Sequence, residues 1–453
     1  MVYTSINFLI FCVLLIILYY TLLKKHQSLL LLVACIGFYI YTDISSFLII
    51  FIMSTITYVV SSRLKYHKKI IISTGILHVG LFILNRYADI YVLGFTFKNI
   101  ASIGLSFTMF KSIGYLIDSY KNEAIKCNYL EFLLYEINFL EIVQGPISCC
   151  QDWVNQIRIE HQWSWKRFYT GILMILHGLV MKLIIANRLL VPIDCIKNDL
   201  SYQGAYVLFV IFAYSVYIYT DFSGGITIIR GIGTLLGIEI DQNFQQPYLS
   251  TSVSEFWKRW HMSLNKWFTK YIYIPLGGSK QGKQRTVINI LIIYLISGVW
   301  HGATFNYIVW GLLNALCVIY ERYGKNNKKE MFSSIKTFVI ISILWMFFYY
   351  PSVMDVVRQL MSIFTNINYI EFVNAGWKNI GLSFVDCVIL IVSILSLYII
   401  DKKYNVLKIT CDKLIVEKTL SVKVIILVLV FMILIFGVYG VGYNATNFIY
   451  GAY

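Results

Sequence analysis

The sequence predicts an all-α, multi-pass membrane protein with about 11–13 membrane helices, some of them re-entrant or interfacial. Three observations predict it. The chain is 58% hydrophobic and only 13% charged, with a mean hydropathy of +0.70. A soluble chain of 453 residues cannot cover that much apolar surface. Apolar stretches of 16 to 22 residues recur along its length, and roughly 20 helical residues cross the hydrocarbon core. The short alternating segments of a membrane barrel are not seen.

Read in order, the expected spans are 6–23, 28–43, 45–61, 69–85, 101–118, 128–144, 169–190, 203–221, 286–299, 304–321, 333–350, 383–401 and 421–441. The first has no cationic region before it and no small-residue cleavage site after it, so it reads as a retained span. Basic residues gather in short loops: Lys24-Lys25, Arg63 to Lys69, Lys325 to Lys329 and Lys402-Lys403. Placing these inside puts both termini outside the membrane. An even number of crossings is then required, so at least one of the thirteen candidates is a half-crossing near the middle.

The net charge of +15 is spread over separate loops, which favours an anionic membrane lipid surface and argues against nucleic acid. The nine cysteines show no metal-ligand spacing and read as small core residues. No internal repeat of the transporter kind is visible, which weakens a solute-transporter reading. The whole chain, 1–453, reads as one integral-membrane domain with a chemical core at 221–311.

Composition changes in that core. Residues 241–285 hold seven Lys/Arg against two acids, and eight of ten tryptophans fall between 153 and 310. Ser252-Val253-Ser254-Glu255 reads as a capping box opening a helix. Phe256, Trp257, Trp260, Leu264, Trp267, Phe268 and Tyr271 follow at helical spacing on one face, with Lys258, His261 and Asn265 on another. Pro275 and Gly277-Gly278 end it. This is the pattern of an interfacial helix with snorkelling cations, and it sets His261 beside a hydrated path.

His301 lies in Ile296-Ser297-Gly298-Val299-Trp300-His301-Gly302-Ala303, inside an apolar run. An ionisable group at bilayer depth is a functional candidate by default. Gly298 and Gly302 remove bulk one turn apart, so a helix or a substrate chain can come close, and Trp300 adds a wall. A neutral buried imidazole keeps one acceptor nitrogen, as a general base requires, although packing histidines are common in apolar helices. His26, His67, His78, His161 and His177 lack such surroundings and read as non-catalytic. Asp118 and Asp221 read as solvated or capping acids near span ends.

Five ordered blocks carry a resemblance. They are Asp221-Phe222-Ser223-Gly224; Asn243-Phe244 with Pro247-Tyr248; Glu255-Phe256-Trp257-Lys258-Arg259-Trp260-His261-Met262-Ser263-Leu264; Tyr273-Ile274-Pro275-Leu276-Gly277-Gly278; and Ser297-Gly298-Val299-Trp300-His301-Gly302-Ala303. In order and character they resemble the membrane-bound O-acyltransferase family. More narrowly, they resemble its bacterial branch of alginate and peptidoglycan O-acetyltransferase membrane subunits and the teichoic-acid D-alanylation membrane protein. Gly104 to Phe107, Tyr115 to Asp118 and Gly145 to Ile147 resemble earlier blocks of the family, while 330–436 is generic membrane sequence. Asn85-Arg86-Tyr87 departs from the branch's usual Phe-Lys-Tyr, and the spacing from Gly277-Gly278 to Trp300-His301 is short.

The resemblance implies helices around a central acyl-transfer tunnel, with no bound cofactor and a thioester co-substrate, acetyl-CoA or an acyl carrier protein, on the cytoplasmic side. It implies His301 as the base on an acceptor hydroxyl, with His261 orienting the acyl group. Trp257, Trp260, Trp300 and Asn265 would line or brace the tunnel. Lys258 and Arg259 would meet donor phosphates, or else snorkel to the interface. The tail Asn447 to Tyr453 resembles the branch's aromatic terminus, so Tyr453 is either an acyl relay or an interfacial anchor. The acceptor is expected to be an extracellular or cell-wall polysaccharide. A separate extracytoplasmic transferase of the SGNH-hydrolase kind is the expected partner. D-alanyl transfer to teichoic acid is the alternative within the family.

Overall fold

Helices dominate the computed structural model, which describes residues 5–87, 90–92, 95–97, 104–142, 145–302, 304–324, 330–407 and 419–439. Among the described residues, four helices are individually long and apolar enough to cross a membrane: Ile44–Arg63, Trp165–Asn198, Ala205–Leu236 and Phe384–Lys403. Ile6–Tyr20 and Lys24–Thr42 pass the same test as a pair bent by 104° at the Lys24-Lys25 corner. A two-stranded hairpin, Ile90–Val92 against Phe95–Phe97, stands where the sequence promised only a connection. The described residues divide into two compact units, the first holding residues up to Ile175 with Gly225–Gln242, the second Leu176–Gly224 and Asn243 to Tyr439.

The first unit is built on an aromatic cluster. Phe8 of Ile6–Tyr20 meets Phe38 and Phe139 edge-on, with ring centroids 6.4 Å apart in each pair. Asp43 caps Ile44–Arg63, accepting from the Ser45 amide at 3.0 Å. Leu105–Tyr120 is buried on almost every side.

The expected span 128–144 is not one helix. Its residues form Tyr129–Glu136 and Phe139–Ile142, and the chain then returns through Cys150–Ile157. Asn128 and Glu131 close a reciprocal capping box at the start, each bond 2.9 Å. Arg158 then clamps Glu131 through two bonds of 2.7 and 2.8 Å and donates to the Lys126 carbonyl at 2.9 Å. The end of the segment therefore lies beside its beginning, and 128–158 is an entering and returning hairpin. Lys111 holds the tip, pairing with Glu141 at 2.8 Å and donating to the Tyr135 carbonyl at 2.6 Å.

Trp165–Asn198, which enters the second unit at Leu176, continues through a π turn at Val180–Ala186 and across Pro192. Ala205–Leu236 runs well past the expected end at 221. Asp221 is therefore not a solvated or capping acid: it is fully buried and paired with Lys182, itself buried. Gly282–His301 packs on Phe305–Tyr323 through two close approaches. A Cβ on Gly298 would sit 2.4 Å from the Tyr307 carbonyl oxygen, and one on Gly311 2.4 Å from that of Tyr294. The room left at Gly298 is thus taken by a neighbouring helix, and that at Gly302 by the Tyr307 ring, 2.2 Å from where a Cβ would be.

The single helix expected from Ser252 to Tyr273 is broken in two, Val253–Arg259 and Met262–Phe268, with a π turn at Thr269–Tyr273. Only half of the expected capping box forms. The Ser252 hydroxyl accepts from the Glu255 amide at 3.1 Å, but the Glu255 carboxylate turns to the amide and hydroxyl of Thr251, at 2.7 and 2.8 Å. Glu321 accepts from the amides of Val253 and Ser254 at 2.6 and 2.8 Å, placing a carboxylate on the helix N-terminus.

Candidate active site

His261 sits at the break between the two short helices, in a left-handed backbone conformation with φ +45°. For a residue with a Cβ this costs about 1–2 kcal/mol, so neighbouring contacts must impose it. They are on either side. Phe244 and Trp260 form an isolated antiparallel bridge, and the Gln245 amide donates to the Arg259 carbonyl at 2.9 Å. The Met262 amide donates to the Asn243 backbone carbonyl at 3.0 Å, and the Ser263 amide to Asn243 Oδ1 at 2.9 Å. The break takes His261 out of the expected face of Lys258, His261 and Asn265, because a left-handed residue turns the following helix onto a new axis; Lys258 and Asn265 still line one groove.

The His261 ring is buried, and among the described residues neither nitrogen has a hydrogen-bond partner. Phe222 presents an edge at 5.2 Å, and Trp300 meets the ring edge-on at 6.3 Å. His301, also buried, ends the helix Gly282–His301. Its ring lies 4.5 Å from Trp300, 4.9 Å from Phe348, 5.4 Å from Trp310 and 6.4 Å from Tyr307, centroid to centroid. Trp300 therefore touches both imidazoles, and the two histidines, forty positions apart, share one aromatic wall.

The other expected residues divide by role. Trp260 is buried between Phe256, stacked at 5.4 Å, and Trp345 at 5.1 Å. Trp257 donates its indole N–H to Asn314 Oδ1 at 3.0 Å and meets Trp310 edge-on at 5.4 Å. Asn265 donates to the Trp257 carbonyl at 2.8 Å, tying the second short helix to the first. Lys258 joins Met262, Asn265, Lys266, Thr269, Lys270 and Ile274 around an open groove of about 350 Å³. Arg259 is engaged by Glu255 at 2.6 Å, and lies apart from that lining. Tyr453 lies outside the described residues.

Sequence reading missed several contributors. Trp310 and Phe348 complete the box around His301 and Trp345 packs on both, and only the fold brings them there. Lys266 and Lys270 were legible as cations at i, i+4 but had no visible partner in Lys258. Asn243 stood in one of the five blocks without a role, and its burial is the missing signal.

These features define a helical membrane protein with paired buried histidines beside a cationic groove. The chain belongs to the membrane-bound O-acyltransferase family, whose pattern matches residues 17–370. It is 34% identical over 252 residues to the probable alginate O-acetylase AlgI of Pseudomonas putida, covering 54% of this chain and 52% of that protein. The Helicobacter pylori peptidoglycan O-acetyltransferase is 26% identical over 329 residues, 62% of each chain. The Bacillus subtilis teichoic acid D-alanyltransferase is 28% identical over 249 residues, 51% of this chain and 61% of that one. The chain spans about half the length of the alginate relatives it matches.

Proposed function

We propose that this protein transfers an acyl group, acetyl in the first instance, from a thioester donor to a hydroxyl acceptor, for O-acylation of an extracellular or cell-wall polysaccharide. One observation carries the reading: both family histidines are buried against the same tryptophan, and one is held in a strained backbone. His301 takes the proton of the acceptor hydroxyl as its oxygen attacks the thioester carbonyl. The carbon–oxygen bond forms, the carbon–sulfur bond breaks, and the leaving thiolate takes the proton from imidazolium. His261 orients the acyl carbonyl, and Trp257, Trp260 and Trp300 form the walls. General-base assistance of this kind contributes on the order of a hundredfold to ten-thousandfold, and the positioning of two substrates contributes further.

Lys258, with Lys266 and Lys270, fits the phosphates of coenzyme A or of a carrier protein's phosphopantetheine. Arg259 serves to hold Glu255 in this reading. The higher identity to alginate O-acetylases than to D-alanyltransferases favours acetyl over D-alanyl. The donor side is cytoplasmic and both termini are outside, by the distribution of basic loops. The chain acts as one domain, hands its acyl group to a separate extracytoplasmic transferase, and carries Tyr453 as an anchor or relay. Labelled-donor transfer by the purified protein in detergent tests this, comparing acetyl-CoA with aminoacyl carrier protein. His301→Ala should abolish transfer; activity surviving in it overturns the mechanism. An acyl adduct on the C-terminal peptide, read by mass spectrometry, decides between relay and anchor.

A further inference from the structure

Asn243 is fully buried, and its side chain is used on one side only. Its Oδ1 accepts from the Ser263 amide at 2.9 Å, and its backbone carbonyl accepts from the Met262 amide at 3.0 Å. Because a backbone N–H can only donate, the oxygen of the Asn243 amide must face Ser263, and this fixes which way the group points. Its Nδ2 then faces away from that bond and has no hydrogen-bond partner among the described residues. The two residues it holds are those immediately after His261, whose two ring nitrogens are also buried without partners. Leaving a buried N–H donor unpaired is costly, and here it accompanies a left-handed, strained histidine. Orphaned donors and backbone strain together mark a site that waits for a ligand atom.

We propose that Asn243 donates an Nδ2–H hydrogen bond to the carbonyl oxygen of the acyl thioester, and so stabilises the oxyanion that forms on it during transfer. This rests on the acyl-transfer reading above and adds a residue to it. As the acceptor oxygen adds to the carbonyl carbon, the carbonyl π pair moves onto its oxygen. Asn243 supplies a hydrogen bond there and gives up no proton; the acceptor's proton goes to His301, and collapse of the adduct expels the thiolate. An amide does not titrate, so this donor is present at every working pH, whereas a neutral imidazole has only one N–H to spend. Pinning and donation are separable. Oδ1 holds the His261 turn, and Nδ2 faces the reactant.

The test uses the full chain in detergent with whichever donor, acetyl-CoA or aminoacyl carrier protein, the wild-type protein accepts. Asn243→Asp keeps an oxygen for the Ser263 amide and loses the donor. The expected result is a kcat about 100–1000-fold lower, with the donor KM and the thermal midpoint close to wild type. Asn243→Asp with wild-type kcat overturns the inference and leaves the His301 reading standing. A second measurement does not need that variant to fold. In His301→Ala, which cannot turn over, the carbonyl stretch of a 13C-carbonyl donor should fall in frequency on binding; an unshifted stretch overturns the proposal. Absence of transfer by the wild-type protein from either donor overturns both readings, and full activity of His301→Ala overturns the base assignment.

Discussion

Replacing Lys111 by methionine removes the ammonium that holds the tip of the 128–158 hairpin. The side chains of Lys111 and Glu141 are 1% and 2% exposed and lie 2.8 Å apart. The ammonium also donates to the Tyr135 carbonyl at 2.6 Å and lies 4.3 Å from the Tyr135 ring centroid. In the methionine variant, Glu141 keeps only the Ser148 hydroxyl, at 2.7 Å, among the bonds seen here. A second buried carboxyl, Glu136, stands near. Orphaning a buried charge costs about 3–5 kcal/mol, so Lys111→Met should lower the thermal midpoint in detergent by many degrees or prevent folding. Lys111→Met with Glu141→Leu replaces the pair by apolar groups of similar volume. That double variant should recover most of the loss, because both desolvation penalties vanish together. The assay is a double-mutant cycle read by equilibrium unfolding, or by monodispersity after heating. If Lys111→Met is as stable as wild type, or the double variant is no better than the single, the pair is not the strut described here.

Gly298→Ala drives a methyl to 2.4 Å from the Tyr307 carbonyl oxygen, so the two helices must part. The expected cost is about 1–3 kcal/mol, with activity falling further because His301 lies one turn on; unchanged stability and activity would falsify this. Changing Lys258, Lys266 and Lys270 to alanine should raise the KM for a phosphate-bearing donor, more at low salt than at high, and leave kcat nearly unchanged; a kcat loss at constant KM refutes the groove assignment. His161 stands in a polar loop, donating from Nε2 to the Gln156 carbonyl at 3.0 Å, and burial lowers its pKa from the ordinary 6.5. The folded state thus binds the proton less well than the unfolded state. Its contribution is whole above about pH 6.5 and lost as pH falls through the lowered folded value. His161→Gln should flatten that part of the stability–pH curve, and an identical slope in both proteins would remove His161 as its cause.

The class of this protein was legible in the chain. Recurrent apolar stretches and basic loops require a helical membrane protein, because lipid leaves backbone polar groups no other partners. The two histidines were legible as well, since an ionisable ring among apolar residues is costly anywhere. The span at 128–144 was misread because hydropathy counts apolar residues and does not see a chain turning back at Asn138 and Gly145. Arg158 reaching Glu131 is a contact across 27 positions. The break at His261 escaped for a related reason. The aromatic spacing from Phe256 to Tyr271 fits a continuous helix, and the opposing force comes from Asn243, eighteen positions upstream. Local periodicity records which faces are greasy; it carries no term for a distant side chain that captures two backbone amides.

What the sequence by itself determined is therefore the solvent and the helical class, and it singled out His261 and His301 as candidates, both of which the structure buries. Those follow from composition and from the cost of burying charge, which depend on residue type alone. Only the tertiary structure decided that Trp300 joins the imidazoles, that Asp221 is paired with Lys182, and that Asn243 points an unspent donor beside a strained His261. Each of these depends on which segments pack together, and hydrogen bonds between distant segments are set by that packing.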